Sequence, residues 1–96
     1  MKLATVVGQV VSTVKDPGLD TLSLLVLRDT GPGAATDAPT FVGVDLVGAG
    51  DGDVVLVTTG GAARVCTQTA ATPTDCAVVA IVDSVVHQGT VSYSTA

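Results

Sequence analysis

Only a handful of residues in this chain are of types that carry chemistry, and their spacing narrows what they can do. His87 is the single imidazole, so a Ser, Thr or Cys nucleophile would have to rely on it as its general base. It stands beside a polar tail, and no nucleophile elbow of the Gly-x-Ser-x-Gly kind occurs, so it reads as a surface histidine. Cys66 and Cys76 have nine residues between them. That spacing fits no zinc pattern, and the two are expected to be reduced thiols. Asp45, Asp51 and Asp53 would offer oxygens to a hard cation, but EF-hand spacing and its terminal Glu are absent. As paired carboxylates for glycosidic chemistry, Asp51 and Asp53 lack an aromatic platform.

The segment Gly48-Ala49-Gly50-Asp51-Gly52-Asp53 is superficially similar to a dinucleotide fingerprint. Its third glycine comes one residue early and no helix follows to meet a pyrophosphate, so it reads as a turn. No catalytic residue, cofactor site or metal site is assigned. A small hydrolase would have to work without a second histidine. Arg64 is the most informative charge, because it is one of only four cations and follows Gly60-Gly61-Ala62-Ala63. Small residues let another backbone approach closely, and the planar guanidinium suits interfaces; the bland alternative is a solvated arginine.

The elements that position these residues are predicted to be strands. Residues 2–14 put Leu3, Thr5, Val7, Gln9 and Val11 on one face and Ala4, Val6, Gly8, Val10 and Ser12 on the other. Lys15-Asp16-Pro17-Gly18 ends that strand. Apolar runs over residues 22–28, 40–45, 54–59 and 76–86 supply four more, the last rich in β-branched residues. Residues 29–39 and 65–74 form the long loops, Gly60-Gly61-Ala62-Ala63-Arg64 a single helical turn, and residues 87–96 a polar tail with an edge strand. Five strands with glycine-rich corners predict a single all-β domain over residues 1–96, built as a small closed OB-like barrel without exposed edges.

Composition agrees. All nine acidic residues are Asp, which favours turns over helices. Phe41 and Tyr93 are the only aromatics among 96 residues, so the core must be aliphatic, and docking against other subunits would add stability. A net charge of −5 offers no footprint for a phosphate backbone, which excludes nucleic acid as a partner. No stretch approaches the roughly 20 apolar residues of a membrane span, and the N-terminal residues turn polar before a signal-length run forms. A soluble cytoplasmic protein is expected. The alternative function, an OB-type binding module for single-stranded nucleic acid or a small ligand, would need a basic groove and stacking aromatics. The chain supplies neither.

Four stretches in order carry a family resemblance: Met1-Lys2-Leu3-Ala4-Thr5-Val6-Val7-Gly8-Gln9-Val10-Val11-Ser12-Thr13; Val44-Asp45-Leu46-Val47-Gly48-Ala49-Gly50-Asp51-Gly52-Asp53-Val54-Val55-Leu56-Val57; Gly60-Gly61-Ala62-Ala63-Arg64; and Ala80-Ile81-Val82-Asp83-Ser84-Val85. Together they resemble the EutN/CcmL family of bacterial microcompartment proteins, over almost the whole chain. The resemblance implies a five-stranded barrel in a cyclic homopentamer that occupies the vertices of a protein shell and meets hexameric shell proteins of the facets. Members typically carry Gly-Ser-Ser-Ala-Arg where this chain has Gly60-Gly61-Ala62-Ala63-Arg64, so two hydroxyls are missing, and Gly is common where Ala80 stands. A ring of one repeated contact needs a head-to-tail interface. Gly48, Ala49, Gly50, Gly60, Gly61, Ala62, Ala63 and Arg64 are the residues expected at the subunit contact or around the five-fold axis.

Overall fold

The structure is a computed structural model, and it describes residues 1–19, 21–30, 37–66, 69–70 and 72–94, with backbone alone at His87, Ser92 and Tyr93. The expected loop centre at Gly31-Pro32-Gly33 lies outside the described residues.

Alternating aliphatic residues give five barrel strands: β1 (Lys2–Val10), β2 (Ser23–Asp29), β3 (Thr40–Asp45), β4 (Val54–Thr59) and β5 (Cys76–Ile81). They close in the order β1-β2-β3-β5-β4, with β4 returning to β1. All pairings are antiparallel except β3 with β5, which run parallel where Val44 meets Ala77 and Asp45 meets Val78. Closure leaves no free edge, the solution a small sheet needs in water.

The period of two sends one set of side chains into the barrel: Ala4, Val6, Leu25, Leu27, Val55, Val57, Cys76 and Val78, with Phe41 and Ala49 packed against them. The alternate residues Val44 and Ala77 face the other way and form a second cluster with Ala63, joined by Leu19, Leu22, Leu24, Leu46 and Val79. This outer cluster lies under two short 3-10 turns, Pro17–Leu19 and Gly60–Arg64. The core is therefore aliphatic on both sides of one wall, as β-branched residues on a pleated surface favour.

Tight closure shows at Gly43. A Cβ there would lie 2.9 Å from Cys76 Sγ and 3.0 Å from Leu27 Cδ1, so no side chain fits between β3 and the start of β5. A bulge in β1, with Val6 opposite Leu27 and Gly8 opposite Val26, leaves Val7 unpaired between them and adds the coil a narrow barrel requires. Lys2 bridges to Asp29 at 3.2 Å and sits 4.1 Å from the centre of the Phe41 ring, tying β1 to β2 and β3.

Two expected strand ends need correction. β1 ends at Val10, not Val14, because its last ladder partner is Leu24. Beyond it, local bonds replace the ladder: Ser12 Oγ donates to the Val14 carbonyl at 2.8 Å, and Lys15 Nζ to that of Ser12 at 3.0 Å. β5 ends at Ile81, not Val86, because β4 begins at Val54 and offers only one further link, from Val82 N–H to the Val54 carbonyl at 2.8 Å. The strand expected in the tail is present, and it lies outside the barrel sheet. Ser84–His87 (β6) and Thr90–Ser94 (β7) instead form a separate antiparallel hairpin.

Candidate assembly surface

The first candidate region is the connection over residues 46–53, and its shape is set by two carboxylates. Asp45 Oδ1 accepts hydrogen bonds from the backbone N–H groups of Val47, Gly48 and Ala49, at 3.1, 3.1 and 3.3 Å. Asp53 Oδ2 accepts from Gly50 N–H at 2.8 Å, and Asp53 N–H donates back to the Gly50 carbonyl at 3.0 Å. Two further bonds, Gly52 N–H to the Val6 carbonyl and Val6 N–H to the Asp53 carbonyl, fasten the loop to β1. Asp45 and Asp53 thus serve the loop's own amides, while Asp51 is exposed. Among the described residues no three His, Cys, Asp or Glu side chains are grouped to hold a metal.

Within this loop Gly48 and Gly50 are exposed, whereas Ala49 turns in and packs on the barrel core. Ala49 and Gly50 border a hollow of about 350 Å³ shared with Gln9 and Ser23.

The second candidate region is the Gly60–Arg64 turn, which leaves β4 as Gly60 N–H donates to the Asp75 carbonyl at 2.7 Å. Gly60, Gly61, Ala62 and Arg64 are exposed. Ala63 is fully buried, its carbonyl accepts from Thr69 Oγ1, and it packs with Val44 and Ala77. It belongs to the subunit's own core and is covered within the single subunit. Gly61 has open space around a Cβ position and no left-handed backbone, so nothing within the subunit requires a glycine there. Arg64 Nη1 donates to the Thr74 carbonyl at 3.2 Å in an exposed bond. It borders a different hollow, of about 420 Å³, with Leu19, Leu24, Val42 and Pro73. The two candidate regions therefore line separate depressions.

Cys66 and Cys76 are unbonded. Burial pushes the Cys76 thiol up from its ordinary value, and the Asp75 charge adds to this against a smaller opposing effect of Lys2. His87 lies in β6 opposite Thr90; its side chain lies outside what is described. Reading the residues alone missed the role of Asp45 as acceptor for three amides. The signal was available in an Asp followed by a Gly-rich turn, a pattern in which the side chain caps its own backbone.

Comparison with known proteins bears on this geometry. The family described as "Ethanolamine utilisation protein EutN/carboxysome" matches residues 1–83. The bacterial microcompartment shell vertex protein EutN of Escherichia coli K12 is 40% identical over 93 residues, which are 97% of this chain and 98% of that protein. The solved structure of Gloeobacter violaceus CcmL superposes with a TM-score of 0.91 at 32% identity, covering 99% of this chain and 98% of the other. GrpN, a pentameric microcompartment shell protein from Rhodospirillum rubrum, superposes with a TM-score of 0.79 at 42% identity, covering 91% and 99%. Matched over nearly its whole length by shell vertex proteins, this chain is a structural vertex protein of a bacterial microcompartment shell. The chain belongs to the EutN/CcmL family.

Proposed function

We propose that five copies of this chain form a cyclic ring that closes the vertices of a microcompartment shell and meets hexameric shell proteins at its rim. The observation that carries the reading is the end-to-end likeness to shell vertex proteins, one of them described as pentameric. The surface of the subunit suits such a ring. A repeated head-to-tail contact needs two different patches on each subunit, and the 46–53 loop and the Gly60–Arg64 turn border two different hollows. In this reading Gly48, Gly50, Gly60, Gly61 and Ala62 allow close approach at the contact or the axis, Ala49 shapes the loop from beneath, and Arg64 reaches the neighbour.

Native mass spectrometry of the full chain tests the ring. A species of five times the 9.4 kDa subunit is expected across micromolar concentrations. A stable monomer or dimer over that range would overturn the proposal. The rim contact is tested by co-purification with hexameric shell proteins, and failure of a purified pentamer to bind them would remove that partner.

A further inference from the structure

The Gly60–Arg64 turn contains no Ser or Thr, so it has no hydroxyl of its own to brace its main chain. The brace comes from the stretch that follows. Thr69 is fully buried, and its Oγ1 donates to the Ala63 carbonyl at 2.6 Å, with the Cys66 carbonyl a second, longer acceptor at 3.2 Å. Ala63 packs with Val44 and Ala77, so a carbonyl that lost this donor would lose it in apolar surroundings. Thr69 also anchors the route back to Arg64. Its N–H donates to the Cys66 carbonyl at 3.1 Å, and its own carbonyl accepts from Thr72 N–H at 3.0 Å. Thr74 N–H then donates to the Thr72 carbonyl at 2.9 Å, and the Thr74 carbonyl accepts from Arg64 Nη1 at 3.2 Å. Arg64 is gripped at both ends, its main chain through the neighbouring Ala63 carbonyl and its guanidinium through Thr74. Both grips start at Thr69.

An exposed arginine ordinarily samples many rotamers and gives up that freedom when it enters a contact. One already held at both ends gives up less. The bond to Thr74 uses one N–H of the planar fork, and the rest of the fork is left for a neighbour. We infer that Thr69 is a positioning residue for assembly, which holds Arg64 in the orientation that the ring uses while staying fully covered within its own subunit. The inference rests on the ring proposed above and on Arg64 as part of its contact.

The test is a double-mutant cycle in the full chain. Thr69→Val keeps the shape of the side chain and removes its donor, Thr69→Ser keeps the donor, and each is made with Arg64 intact and with Arg64→Ala. Native mass spectrometry at falling concentration follows ring dissociation, and urea unfolding of the dissociated subunit follows the fold. With Arg64 intact, Thr69→Val should raise the concentration at which rings dissociate by about tenfold or more, and Thr69→Ser should restore it. In the Arg64→Ala chain, Thr69→Val should move that concentration by less than about twofold, while it lowers subunit stability alike in both backgrounds. Should Thr69→Val not fold, Thr69→Ala carries the same cycle, and failure of both to fold would make Thr69 a support of the barrel and overturn its separate role. Equal weakening of the ring in the two backgrounds, or rings of unaltered strength in Thr69→Val or in Arg64→Ala, would overturn the inference and leave the ring standing. A full chain that forms no pentamer would overturn both.

Discussion

Gly43 and Cys76 meet where β3 and β5 run parallel, with the space for a Cβ on Gly43 ending 2.9 Å from Cys76 Sγ. The pair fixes how closely the barrel closes, because the Cys76 carbonyl also lies 3.4 Å from the same point. Gly43→Ala is expected to destabilise the fold by about 1–3 kcal/mol, the usual cost of overpacking a core. Urea denaturation would measure it. Adding Cys76→Ala should recover part of the loss, and a double-mutant cycle without coupling would contradict the contact.

Asp45 holds three backbone amides, so Asp45→Ala leaves three donors without their acceptor. A loss of about 1–2 kcal/mol is expected, in the range of capping carboxylates. Asp45→Asn keeps one acceptor oxygen and should lose less. Amide hydrogen exchange at Val47, Gly48 and Ala49 would accelerate in both variants, and unchanged protection there would refute the role.

The raised thiol of Cys76 gives stability an alkaline limit. The fold favours the neutral thiol, so above the ordinary value of 9.0 the folded chain keeps a proton that the unfolded chain has released. Stability is therefore full below that value and falls as pH rises toward the folded value. Cys76→Ala should flatten the slope of unfolding free energy between about pH 8 and 10, although its absolute stability is lower from the lost Sγ contacts. An unchanged slope would place the titration elsewhere.

Arg64 makes one exposed bond inside its own subunit. Arg64→Ala should change subunit stability by no more than about 0.5 kcal/mol, as surface replacements usually do. The same variant should weaken the ring, and Arg64→Lys should restore it only in part, because an ammonium lacks the planar fork. Native mass spectrometry at falling concentration separates the two effects. Assembly equal to that of the unaltered chain would remove Arg64 from the contact.

The barrel was legible because strand alternation is a local property. Ala4 and Val6, Leu25 and Leu27, Val55 and Val57 announce an inward face wherever they occur. Strand ends were not legible in the same way. Val11 and Val14 look as β-like as Val6, and only the position of Leu24 on the neighbouring strand decides that pairing stops at Val10. The polar pair Asp83-Ser84 does mark the change of partner, but the β-branched composition resumes at Val85 and Val86, and one short polar step looks the same inside a continuous strand as between two. The packing of Ala63 was hidden for a related reason: a run of small residues shows that something comes close, but not that it is the subunit's own wall. Gly43 passed unnoticed because a close approach across parallel strands is a tertiary fact.

The carboxylates of Asp45 and Asp53 hold the 46–53 loop by its main chain, and the side chains of Val47 and Asp51 take no part in the bonds that shape it. Both residues are exposed. The loop is thus a rigid frame with two blank positions, on which an engineer could write new polarity, bulk or a chemical handle while the barrel beneath keeps its form.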